Sequence, residues 1–259
     1  MSRFGNLEFG EESENRSHSG RMERSDDESL HLEAAEAAFA SGEFEKALRR
    51  YSKVLEFNPN NTAAWTGQVR MLIELGEFRE AKLWSDKALE RFPHEPELLA
   101  AKAVALAREG DLQGALVFSD ASIEERGDSP YLWLARGDVL LTRHEIRADY
   151  CFEKAQLLAP QNWLVNWLAA RVRSFHEQFV LALKLLEQAI EWEAGRFVLW
   201  LELGRCQTAL GLLNPARNSF RQARQLNPQA AEVATALLEL DRGGLASQLH
   251  GWWRRLLKK

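Results

Sequence analysis

The chain has 259 residues, 46% of them hydrophobic and 27% charged, a globular composition that excludes wholesale disorder. Its net charge of −5 argues against a surface that binds nucleic acid throughout. Two cysteines, Cys151 and Cys206, are too few for a disulfide framework, and no apolar run approaches the roughly 20 residues that cross a bilayer. The N-terminus has no apolar core of the kind a signal peptide carries, so cytoplasmic placement is expected.

Charge is divided by segment. Residues 1–29 hold eight acids and four arginines, and the Ser-, Glu- and Gly-rich stretch 1–27 shows no hydrophobic period, which predicts a disordered acidic tail. Residues 242–259 hold five basic residues and no acid.

From residue 28 the sequence repeats at a spacing of 34, with one step of 33. Alanines stand at Ala47, Ala81, Ala115, Ala148, Ala182 and Ala216. Small residues stand upstream at Ala35, Val69, Ala103, Gly137, Ala170 and Gly204. Pro59, Pro93, Pro160 and Pro228 fall in phase, with Gly127 and Ala194 in the two gaps. A bulky column runs Trp65, Leu99, Trp133 and Trp200, and the single missing residue lies between Ile146 and Ala148. Six units follow: 28–61, 62–95, 96–129, 130–162, 163–196 and 197–230.

Each unit reads as two helices, because apolar residues recur with the helical period, as at Leu48, Tyr51 and Leu55. Gly42, Gly76, Gly110 and Gly211 mark the turn inside a pair, where a left-handed residue ends the first helix. Ser129 is expected to cap the helix that Pro130 opens. Residues 231–241 begin a seventh first helix, which would cover the last apolar face.

This pattern resembles the tetratricopeptide repeat, in which a Trp, Leu-Gly and Tyr stretch is followed by Ala, Phe and Pro at fixed spacing. The sixth unit fits best, with Trp200, Leu203, Gly204, Ala216, Phe220 and Pro228 in place. The fifth departs most, with Asn166 in the Trp column and Glu177 at the turn glycine. The resemblance implies an all-α, right-handed solenoid of six helix pairs with a capping helix over 231–241, whose first helices line a concave face. It also implies a protein-binding role. The family's clamp for chaperone tails uses Lys and Asn one turn apart, and here those positions read Leu32/Glu36 and Thr66/Arg70.

Enzymatic chemistry finds no foothold in the residues. Histidines 18, 31, 94, 144, 176 and 250 are scattered without metal-ligand spacing, and no phosphate loop or nucleophile elbow is present. No catalytic residue, metal, cofactor or small-molecule substrate is therefore expected, and no nucleic-acid partner. Phasing by the small column turns Arg70, Leu134, Asp138, Trp167, Arg171, Phe175, Leu201 and Arg205 toward the groove. Trp167, Arg171, Phe175 and Arg205 would form a basic-aromatic patch suited to a peptide with an acidic group and an apolar anchor. The competing reading is that Trp167 and Phe175 fill the irregular junction.

In the C-terminal segment, Leu249, Trp252, Trp253, Leu256 and their neighbours fall in an arc about 140° wide, with Arg254 and Arg255 outside it. Three readings stand: a helix lying on an anionic membrane surface, a second helix of a seventh pair docked on the solenoid end, or a helix for a partner. The expected function is a non-catalytic adaptor or scaffold for another protein, with peripheral membrane association through this helix. The alternative is a structural or regulatory subunit of a larger enzyme or secretion complex.

Overall fold

The computed structural model describes residues 18–125 and 128–241, with side chains from residue 27. The described residues are helical and contain no strand. The chain divides between Ala159 and Pro160 into two compact units. The first contains α1 (His18–Ala40), α2 (Phe44–Phe57), α3 (Thr62–Glu74), α4 (Phe78–Arg91), α5 (Pro96–Glu109), α6 (Leu112–Glu124), α7 (Pro130–Thr142) and α8 (Ala148–Leu158). The second contains α9 (Trp163–Phe175), α10 (Phe179–Trp192), α11 (Phe197–Ala209) and α12 (Leu213–Leu226). Residues 231–241 form a further helix, α13.

The same turn closes every pair. Gly42, Gly76, Gly110 and Gly211 have positive φ, and so do His144 and Glu177, which occupy the corresponding positions of the fourth and fifth pairs. In each case the next amide donates to the carbonyl five residues back, from Glu43 to Ala38, Glu77 to Leu72 and Asp111 to Leu106, all at 2.9 Å. Glu145 to Leu140 and Gln178 to Arg173 repeat it at 2.9 Å, and Leu212 to Gln207 at 2.8 Å. This is the Schellman arrangement, which satisfies carbonyls that a helix end leaves open. The missing residue falls just after one of these turns. Where α2, α4, α6, α10 and α12 begin three residues before their column alanine, α8 begins on Ala148 itself and loses most of a turn. Glu145 ties the shortened turn by accepting from Arg143 at 2.7 Å and from Arg147.

The links between pairs are closed by side chains. Trp65 Nε1 donates to the Pro59 carbonyl at 2.9 Å, and Trp200 Nε1 to that of Ala194 at 2.8 Å. Asn61 and Asn162 cap α3 and α9 by accepting from the Ala64 and Leu164 amides. Ser129 has the extended backbone of a cap, but its hydroxyl makes no capping hydrogen bond. Pro130, its φ already helical, opens α7 without that help.

Both small columns are buried, as their spacing requires. They let the two helices of a pair approach until an aromatic ring of one lies on the backbone of the other. One boundary differs from expectation: α1 begins at His18, so it takes in residues assigned above to the tail. No glycine or proline stands between Arg21 and Ser41 to stop the helix from extending backwards. Glu28 fastens α1 to the link after α2, accepting from Asn58 at 2.9 Å and Asn61 at 2.8 Å.

Candidate partner-binding faces

In the first unit the inner face is filled by the protein itself. The α5 sequence is rich in alanine, and Leu98–Ala101 and Ala103–Ala107 are all buried. Its small side chains let α3 and α7 both pack on α5. Arg70 of α3 therefore reaches past α5 to Tyr131 of α7, its guanidinium 3.9 Å from that ring centre and 5.0 Å from the ring of Phe39. Burial pushes the Tyr131 phenol well above its ordinary pKa, against the pull of Arg70. Arg108 donates to Asp138 Oδ2 from Nε at 3.2 Å and Nη2 at 2.7 Å.

Three residues expected in the groove are thus spent on packing. Arg70 is stacked between rings, Leu134 is buried, and Asp138 is buried and paired. The phase of a helix identifies the face a residue points to. It does not say how near the next helix comes.

In the second unit, Trp167 is 1% exposed, so it does not line a groove. It packs near Trp163, ring centres 6.3 Å apart, with the Arg171 guanidinium 5.4 Å from its centroid. The column position beside it belongs to Asn166, whose Nδ2 donates to Gln188 Oε1 at 3.1 Å. A polar residue in that column leaves the bulk to its neighbour, so packing, rather than ligand contact, accounts for Trp167. Leu201 is likewise buried, in a cluster with Phe220 and Val233. Phe175, at the end of α9, remains 49% exposed and meets His176 edge to face.

The arginines of the expected patch are brought together, but not as a free positive charge. Arg171 donates to Glu202 Oε1 at 2.7 Å, and Arg205 to the same oxygen at 2.8 Å. Arg205 also reaches Glu232 at 3.3 Å. Glu202 was missed because it lies in neither column. A search for opposite charges about one unit apart on consecutive first helices would have found it, as it would Arg108 and Asp138.

Beside this network the wall opens. A cleft of about 740 Å³ lies between α11 and α13, floored by Phe220 and Leu240. Arg205, Thr208, Thr235 and Glu239 stand around it.

No metal-binding group of three His, Cys, Asp or Glu residues occurs among the described residues. Cys151 and Cys206 are buried free thiols, and burial raises the pKa of both, which keeps them protonated and unreactive. Among the described residues no helix is long and apolar enough to cross a membrane. Leu249, Trp252, Trp253, Arg254, Arg255 and Leu256 lie outside the described residues.

No curated protein matches this chain in sequence. Among solved structures it is similar to a tetratricopeptide repeat protein of Parabacteroides merdae, at 17% identity and a TM-score of 0.53, covering 82% of this chain and 83% of that one. It is also similar to TTC0263, a thermophilic protein of the same repeat class from Thermus thermophilus, at 16% identity and a TM-score of 0.50, covering 82% and 98%. A chain of the Cut9–Hcn1 hetero-tetramer of APC/C matches at 14% identity and a TM-score of 0.51, over 86% of this chain, which spans 44% of that longer one. The profile of the tetratricopeptide repeat matches residues 38–104 and 176–240. With the buried columns and six identical turns, these matches show that the chain belongs to the tetratricopeptide repeat family.

Proposed function

We propose that this chain is a non-catalytic adaptor that holds a partner protein in the cleft between α11 and α13. The observation that carries this reading is the contrast between the two inner faces. The first unit fills its own with the Phe39–Arg70–Tyr131 stack and the Arg108–Asp138 pair. The second leaves an apolar-floored cleft ringed by hydroxyls and charges, the make-up of a specific peptide site. Arg171 and Arg205 are already answered by Glu202 and Glu232, and Glu239 adds a further acid at the cleft. The partner segment is therefore apolar with a neutral or basic flank, rather than acidic. Glu239 is its charged contact, and Thr208 and Thr235 offer it hydroxyls.

The test is affinity purification with mass spectrometry, comparing the full chain with a variant whose cleft is filled by Ala209→Trp and Thr235→Trp. A partner recovered with the first and lost with the second, at equal helical content by circular dichroism, supports the reading. Equal recovery removes it.

Peripheral membrane attachment through 245–259 is the second element of the proposal. It rests on the sequence: paired tryptophans on an apolar arc, with basic residues outside it. Basic residues near an anionic surface contribute about 1 kcal/mol each. Co-sedimentation with anionic vesicles that is lost when 245–259 is deleted supports attachment, and equal sedimentation of both forms removes it.

A further inference from the structure

Opposite the cleft, on the other side of α13, lies a second hollow of about 850 Å³. One wall is α12, which contributes Arg217, Arg221 and Arg224, and the other is α13, with Ala234, Leu237 and Leu238. Leu238 is 59% exposed. It stands 34 residues after Gly204, so it continues the small column, the position that meets the second helix of the same pair. In the sixth pair that meeting is Phe220 on Gly204, and in the fourth Phe152 on Gly137. The hollow is thus the berth of a second helix for the pair that α13 begins.

The chain's own next segment fits this berth poorly. In register, residues 245–259 would put His250 in the alanine column and Arg254 in the aromatic one. That overpacks a position filled elsewhere by alanine. It also brings Arg254, Arg255, Lys258 and Lys259 toward a wall that is already basic. α12 carries three arginines and no acid. Arg217 is answered by Asp241 at 2.9 Å, whereas Arg221 and Arg224 form no ion pair among the described residues. Like charges gathered at one wall repel, and opposite charges from a partner steer and hold it.

We propose that this hollow receives an acidic amphipathic helix from another protein, which completes the seventh pair in trans. Its apolar side lies on Ala234, Leu237 and Leu238. Because Leu238 is large where the earlier units carry a small residue, the partner presents alanine, glycine or serine there. Its carboxylates face Arg221 and Arg224. This site uses the face of α13 turned away from the cleft, so it stands whether or not the cleft binds a partner.

The probe is a fluorescent synthetic helix about 14 residues long, the length of α12, with an Ala/Leu stripe flanked by glutamates. Its control has each glutamate replaced by lysine. Fluorescence anisotropy with the full chain should show saturable binding of the acidic peptide, weakened at least about tenfold in the control. It should weaken similarly in Arg221→Glu/Arg224→Glu and fade with added salt. The Ala209→Trp/Thr235→Trp variant should bind as the original does. Equal binding of both peptides, or by the Arg221→Glu/Arg224→Glu variant at unchanged helicity, overturns the proposal. A photocrosslinker at Leu238 should capture the peptide. Capture of the chain's own residues 1–17 or 245–259, or tighter peptide binding once either segment is deleted, assigns the berth to that segment and overturns it as well.

Discussion

Phe220 lies so close over Gly204 that a Cβ at Gly204 would stand 2.4 Å from its ring. Helical glycine replaced by alanine ordinarily stabilises, by about 1 kcal/mol. Here the ring resists displacement, because Phe220 is buried among Leu201, Ala216 and Ala223. Gly204→Ala should therefore destabilise by about 1–3 kcal/mol, the usual cost of overpacking. Denaturant unfolding followed by circular dichroism measures it. Phe220→Leu in the same chain should relieve the clash, so that the pair of substitutions costs less than the two singles added. Strict additivity would show that the contact is not the cause.

The six turns inside the helix pairs supply the second prediction. His144 and Glu177 hold φ of 56° and 58°, where four other units use glycine. A left-handed residue with a side chain costs about 1–2 kcal/mol, partly offset by the freedom glycine gains when unfolded. His144→Gly and Glu177→Gly should each stabilise by about 0.5–1 kcal/mol. Gly76→Ala should do the reverse, although nothing lies within 4 Å of the added Cβ, because φ there is 78°. An unchanged melting temperature in all three would remove backbone strain as the explanation.

These turns were legible in the sequence because their chemistry is local. A glycine column and a helical period locate the pairs, and even the missing residue is placed next to the turn at His144. The fate of particular side chains was not legible in the same way. Trp167 lies one step past a tryptophan column, and the phase alone turns it toward the groove. What buries it is a neighbour, Asn166, that leaves the bulky position empty. For Arg70 the phase predicts a groove position, but alanines on α5 bring Tyr131 within its reach, and that closeness is written on three helices at once. The arginines of the second unit carry no mark of Glu202, which belongs to another helix.

Gln68 is fully buried, and among the described residues neither its Nε2 nor its Oε1 finds a hydrogen-bond partner. In the next two units the same position holds Lys102, paired with Asp86 at 2.6 Å, and Arg136, paired with Asp120 at 2.7 Å. The position matching those acids is Ser52, whose hydroxyl donates to the Leu48 carbonyl of its own helix. An unsatisfied buried amide costs about 1–3 kcal/mol. Gln68→Met should raise stability by about 1 kcal/mol at similar volume. Gln68→Lys alone should lower it, and Ser52→Asp alongside should recover most of the loss by restoring the pair. Calorimetric melting of the four proteins tests this, and a less stable Gln68→Met would mean that the amide is satisfied after all.

Tyr51 links the packing of the first unit to pH. Burial pushes its phenol up to about 12, with Arg70 pulling the other way. An unfolded tyrosine titrates near 10. Above that pH the unfolded chain has released the proton while the folded chain keeps it, so the unfolded state binds fewer protons and stability falls as pH rises. The loss should develop between about pH 10 and 12 and reach the order of 2 kcal/mol. Tyr131, whose phenol is also raised by burial, adds to the same slope. Tyr51→Phe should flatten the decline measured by urea midpoints at about pH 9 and about pH 11.5, and Tyr131→Phe should flatten it further. The part of the tyrosinate absorbance that Tyr51→Phe removes should rise together with the loss of helix rather than before it. If Tyr51→Phe leaves the slope intact, or that part of the absorbance appears while the helices persist, Tyr51 is titrating in water and its ring is not the closed contact that the first unit places there.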